Sequence, residues 1–235
     1  MVELSIVIVV IGLLAAATMV GRDLLVSAQL KALISEIESH KIAVDNFQTQ
    51  YENLPGDMPN ATSFWTTAQN SGVAVKNGNG DGNIGANKLD YTEPYYAWNH
   101  LTLSKFVPGT FSGVSAVRAT VGVNIPTSKY MDRIGFGLNY YNSPWGYVNA
   151  LGHYFVGNFI FIGVTIVATS VNFPGDSAFT PSDAYYIDSK IDDGFPDSGG
   201  VMASGVANCV SGSAPNIVYL RTNASTACFF AVTLK

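Results

Sequence analysis

From Leu4 to Gly21 the chain carries no charged residue, and its hydrophobic positions fill every side of any helix it could form. In an α-helix such a run rises about 27 Å, close to the hydrocarbon thickness of a bilayer. Arg22 and Asp23 end the run but not the helical signal. Leu24, Leu25, Ala28, Leu30, Leu33, Ile34, Ile37, Ile42, Val44 and Phe47 recur at threes and fours, with Gln29, Lys31, Glu36, Glu38, Lys41, Asp45 and Gln48 between them. No glycine or proline interrupts Arg22 to Asn53, and the breaker comes at LPGDMP, residues 54–59. The pattern predicts one helix from Glu3 to about Glu52, about 75 Å long. Its first half is apolar all round; its second half is amphipathic and needs a domain to lie against.

After residue 53 the pattern turns to short β-like runs separated by turns. YFVGNFIFIGVTIVATSVNF, residues 154–173, is the most apolar, and its β-branched residues, two glycines and Asn158 predict one or two buried strands rather than a second membrane span. Further strands are expected at 113–125, 134–141, 145–150, 217–221 and 228–234. Strand and helix do not alternate as in a parallel α/β sheet. The expected fold is therefore α+β, a long N-terminal helix (residues 1–52, apolar over 1–21) packed on an antiparallel β-sheet head domain (residues 53–235).

Composition supports a β-rich head: charged residues are 12% and apolar residues 48% of the chain, with 23 glycines, 12 tyrosines and 13 phenylalanines. The net charge of −5 supplies no basic footprint for nucleic acid. The two cysteines, Cys209 and Cys228, stand close together in an otherwise cysteine-free chain. They predict one disulfide and an oxidising compartment, the alternative being two unrelated buried thiols.

Glu3 stands at the mouth of the apolar run, where an ionised group is costly. The stretch MVELSIVIVVIGLLAAATMVG resembles the N-terminus of type IV pilins and of type II secretion pseudopilins. Members of that superfamily begin, after a short basic leader ending in glycine, with a pattern like F-T-L-V-E-L-x-x-V-I-x-I-I-G-I-L-A-A. Met1, Val2, Glu3 and Leu4 match its L-V-E-L, Gly12 its glycine, and Leu13 to Ala16 its I-L-A-A. The family's glutamate is the fifth residue after the cut and here it is the third, so the leader and two mature residues are expected to precede Met1. The family's proline near the position of Val20 is absent, which leaves Gly12 and Gly21 as the points where this helix could bend.

The resemblance implies a pilin-like fold and a subunit that polymerises into a helical homopolymer. Glu3, Leu4, Ile6, Val7, Val10, Ile11, Gly12 and Leu14 would form the assembly face. It implies cleavage by a prepilin peptidase, N-terminal methylation, residence in the inner membrane, and then delivery by an assembly machinery into an extracellular filament. A periplasmic pseudopilus of type II secretion is the alternative, and a membrane-anchored binding domain that never polymerises a further one. A cleaved secretory signal fits less well, because no basic region precedes the run and no break follows it.

Two loops offer oxygen ligands. Asn77, Asn79, Asp81 and Gly82 of NGNGDGNIG echo a calcium loop, although Lys88 stands where the bidentate glutamate belongs and Asp90 would have to substitute. SDAYYIDSKIDDGFPDSGG, residues 182–200, sets Asp183, Asp188, Asp192, Asp193 and Asp197 against one cation, Lys190. It resembles a segment recurring in bacterial proteins with pilin-type N-termini. Calcium in a C-terminal loop of secretion pseudopilins makes Asp188, Asp192 and Asp193 the preferred site for Ca2+. The plainer reading is a helical turn begun at Pro181-Ser182-Asp183 and followed by a rigid turn.

No enzyme is expected. His40, His100 and His153 are scattered, and no nucleophile elbow, phosphate loop or HExxH motif is present. Tyr95, Tyr96, Trp98, Tyr140, Tyr141 and Trp145 could serve subunit contacts, with core packing the simpler use. Asn60-Ala-Thr62 and Asn223-Ala-Ser225 match the glycosylation sequon.

Overall fold

A computed structural model of the chain describes residues 2–67, 69, 72–85, 92–113, 118–142, 156–165, 173–204, 208–213 and 216–234. Helix α1, Val2–Tyr51, is continuous over 50 residues. Every residue from Glu3 to Val20 is exposed. Burial begins at the head domain, where Leu30, Leu33, Ile37, Val44 and Phe47 enter the main core. Those spacings are the threes and fours of the sequence pattern, so one row of the helix is shared with the head. Glu52 turns left-handed, with φ 55°, and stops the helix. The turn after it, Leu54–Met58, is itself buried.

Helix α2, Glu93–Leu103, has Pro94 in its first turn, and helix α3 spans Pro181–Ile191. The strands are β1 Ile134–Asn142, β2 Val156–Val164, β3 Val201–Ser204, β4 Val210–Ser213, β5 Asn216–Tyr219 and β6 Phe229–Thr233. Four form one sheet in the order β1-β2-β6-β3, every pair antiparallel. β4 and β5 form a separate antiparallel pair. The fold is α+β, with a long N-terminal helix against an antiparallel sheet.

Register explains the unbroken hydrophobicity of β2. Leu138 pairs with Ile160, Ile160 with Val232, and Val232 with Val201. These four face α1 and α2 in the main core. The alternate residues Phe159, Phe161, Phe229 and Ala231 form a second cluster on the other face with Phe173. Phe161 and Phe173 stack at 4.2 Å between centroids. A strand covered on both sides has no polar face, so its alternation disappears. Gly137 leaves room for this second layer, because a Cβ there would stand 2.5 Å from Pro174 Cδ.

Both outer sheet edges are engaged. On β1, Phe136 N donates to the Pro126 carbonyl and Tyr140 N to the Ile84 carbonyl. On β3, Ala203 N donates to the Pro196 carbonyl. The expected strand at 113–125 is not formed over its described part. Residues 118–125 make a turn instead, in which Asn124 Oδ1 accepts from Thr120 N and Asn124 Nδ2 donates to the Arg118 carbonyl. The expected strand at 145–150 and the second part of 154–173, together with Trp145 and His153, lie outside the described residues.

Candidate functional site

Among the described residues, most of the exposed large hydrophobic side chains stand on the free half of α1. Leu4, Ile6, Val7, Val10, Ile11 and Leu14 are each between 48% and 70% exposed. Nothing lies within 4 Å of the position a Cβ would take on Gly12. Glu3 occupies the first turn, where the helix dipole favours a negative charge. This half of the helix is long and apolar enough to cross a membrane, and 0% of it is buried in the protein.

The acidic segment is built by α3. Thr180 caps the helix, its Oγ1 accepting from Asp183 N at 3.2 Å, and Pro181 follows in the first turn. The expected helical turn thus extends to eleven residues. Asp188 lies on the buried face of α3; the Tyr219 hydroxyl donates to its Oδ2 at 2.6 Å and Gly194 N to its Oδ1 at 3.1 Å. Asp192 Oδ2 accepts from Gly200 N at 2.6 Å and Val201 N at 3.1 Å. Asp193 accepts from Phe195 N and, at 2.6 Å, from the Ser198 hydroxyl. The structure brings these three carboxylates together, one oxygen of each within 4.8 Å of the others. Burial pushes Asp188 up to about 7, the charges of Asp193 and Asp192 adding to it against the bonds from Tyr219 and Gly194. Burial and the Asp188 charge likewise raise Tyr219. The oxygens suit a hard cation, and each carboxylate also holds the turn that leads from α3 into β3.

The first loop is organised differently. Asn77 Oδ1 accepts from Thr62 N, Asn79 Oδ1 from Asp81 N, and Asp81 Oδ1 from Asn83 N. The oxygens of Asn79 and Asp81 serve the loop's own backbone in turns of the Asx kind, and that of Asn77 ties the loop to Thr62. Two buried carboxylates from outside the loop fix it in place. Asp57 accepts from Gly80 N, Asp81 N and Gly82 N, and Glu93 accepts from Asn79 N and Gly85 N. Burial raises Asp57, against those backbone bonds. Lys88 and Asp90 lie outside the described residues.

Sequence reasoning missed Asp57 and Glu93, since nothing local to PGD or TEP announces a partner so far along the chain. It also missed His100, which is completely buried. Gly56 N donates to its Nδ1 at 3.0 Å, which leaves Nε2 to donate to the Lys76 carbonyl at 2.9 Å. Burial pushes His100 down to about 4. His40, on α1, sets its ring edge-on to Trp98 and Phe136. Burial and then Lys129 push it down to about 4 as well. His40 also lines an open groove of about 510 Å³ between α1, Phe106–Phe111 and Pro126–Lys129. Tyr95, Trp98 and Tyr141 are core residues. Cys209 and Cys228 are bonded, and no cysteine is left free.

No protein-family model matches the chain, and neither the curated proteins nor the solved structures gave a match.

Proposed function

We propose that the protein is a structural subunit, a major pilin, of an extracellular type IV pilus-like filament, held in the inner membrane until it assembles. One observation carries this reading: a long rigid helix whose second half is built into the head and whose first half projects alone, apolar on every side. Such a surface must be covered by lipid or by copies of itself. Glu3 within it adds a reason for copies, because a charge that lipid disfavours gains a partner only in an assembly. The pilin-like N-terminal motif points the same way.

The second reading is a type II secretion pseudopilin, favoured by the meeting of Asp188, Asp192 and Asp193 in the C-terminal loop. Electron microscopy of surface filaments sheared from intact cells, with mass spectrometry of their subunit, tests both. The pilin reading expects long extracellular filaments made mainly of this chain. Short filaments that require secretion components favour the pseudopilin. A chain found only in membranes, never in filaments, refutes polymerisation.

A further inference from the structure

Arg22 and Asp23 are the only charged residues between Glu3 and Lys31. Both are exposed, and neither has a hydrogen-bond or ion-pair partner among the described residues. They stand inside apolar surface, not beyond it: Met19, Val20, Leu24 and Leu25 on either side are each at least 60% exposed. Any assembly that covers those four residues also takes the two charges out of water, and a charge so covered needs a partner.

The partner cannot be the adjacent residue. Successive helical positions diverge by about 100°, so side chains at i and i+1 do not face each other. Asp23 continues the row of Leu30, Ile37 and Val44, which meets the head domain. Arg22 continues the row of Gln29, Glu36 and Ala43, which is exposed at Gln29 and meets the head at Glu36 and Ala43. Both charges stand before Leu30, the first buried position of the helix, on sides about 100° apart, so the chain's own head covers neither and each is open to a neighbour. Helical side chains slant towards the N-terminus. In two parallel copies with a small axial stagger, the arginine of the copy standing further along the axis leans onto the aspartate of the other. Each chain supplies both signs, so a homopolymer repeats the contact without any second kind of subunit.

We infer that Arg22 and Asp23 form a reciprocal ion pair between adjacent copies of this chain and set the axial register of α1; this rests on the filament reading above. The pair lies at the top of the apolar half-helix, well apart from Glu3 at its base. It therefore fixes the stagger at a second level.

Charge reversal in the full-length protein tests it. Arg22→Asp and Asp23→Arg are each expected to lower the yield of sheared filaments about tenfold while membrane levels hold, and the combined reversal to restore it to within about threefold. Single reversals that assemble at wild-type yield overturn the pair, as does a double reversal no better than the singles. Cross-linking separates failure of the pair from failure of the filament reading. The chain has no free cysteine, so co-expressed Arg22→Cys and Asp23→Cys chains carry the only reactive thiols. Oxidation should give the mixed dimer in excess over same-site dimers. That result supports the pairing even if the wild type makes no filaments. Same-site dimers alone, or none, overturn it whatever the wild type assembles.

Discussion

The Tyr219 hydroxyl donates to the Asp188 carboxylate across 2.6 Å, and neither side chain meets solvent appreciably. The contact joins α3 to the β4–β5 pair and fixes the turn on which Asp192 and Asp193 ride. Tyr219→Phe keeps the ring and removes the donor, so it should cost about 1–3 kcal/mol in denaturant unfolding, the range for a hydrogen bond to a buried carboxyl. An unchanged midpoint would show that the bond carries nothing.

Asp188 also sets a pH dependence. Its folded value near 7 lies above the ordinary carboxyl range. The native state therefore holds a proton that the unfolded chain releases, and this group's contribution falls as pH rises from about 4 to 7. His40 and His100 act in the opposite sense. Their folded values near 4 lie below the ordinary 6.5. Their contribution is complete above pH 6.5 and is lost as pH falls towards 4. Protonating His100 would also turn an N–H of its ring against Gly56 N. Relative to wild type, His100→Asn should lose less stability between pH 6.5 and 4, and Asp188→Asn should lose more. Parallel pH–stability curves for all three proteins would contradict the assignment.

The sequence and the structure part company where partners are distant. α1 was legible because Leu30, Leu33, Ile37, Val44 and Phe47 repeat at helical spacing and its breaker is a Pro-Gly pair. β1, β5 and β6 were legible as short apolar runs between turns. α2 was not, because Tyr95 and Trp98 look like surface aromatics until the core closes round them, and nothing short-range marks TEPYYAW as a helix beyond Pro94. The calcium-like loop reads two ways in the sequence for a related reason: a tight turn whose side chains satisfy backbone N–H groups needs the same Asn, Asp and Gly residues that a metal loop does. Its real anchors, Asp57 and Glu93, come from elsewhere in the chain.

Cations should discriminate between the two loops. Asp188, Asp192 and Asp193 converge, whereas Asn77, Asn79 and Asp81 are committed to Thr62, Asp81 and Asn83. A calcium titration followed by nuclear magnetic resonance at pH 8, where Asp188 is ionised, should move signals of Asp192, Asp193 and Gly194 and leave residues 77–83 in place. Shifts confined to Asn79 and Asp81 would reverse the order of the sites.

The disulfide ties the start of β4 to the start of β6 across a sequence separation of 19 residues. Closing a loop of that size stabilises a domain by about 3 kcal/mol in the chain-entropy model. Reduction, or paired Cys209→Ser and Cys228→Ser substitution, should lower the unfolding free energy of the head by about that amount. The α1 helix signal should persist in the native baseline, since its buried row packs on residues of the other strands and of α2 as well. Equal stability of the oxidised and reduced proteins would remove the bond from any account of the fold.

Glu3 remains the residue whose presence the isolated subunit does not explain. It is exposed, its neighbours Leu4, Ile6 and Val7 are apolar and exposed too, and in a membrane its charge is unfavourable. The maturation implied by the pilin-like motif leaves an α-amino group, cationic below about pH 8, a short way before it. That amine and Glu3 are both unfavourable in lipid, and both are satisfied if copies stand side by side with an axial offset, the amine of one meeting the Glu3 of the next. The surrounding apolar residues have little axial preference, so in the proposed filament the charge pair would select the register, the best-attested use of a buried ionic contact. Glu3→Ala should therefore leave the head domain folded and the helix in the membrane while sharply reducing filament assembly. Circular dichroism, membrane fractionation and filament yield read the three outcomes separately. If Glu3→Ala subunits build filaments at normal yield and length, the carboxylate serves another purpose and the register account is wrong.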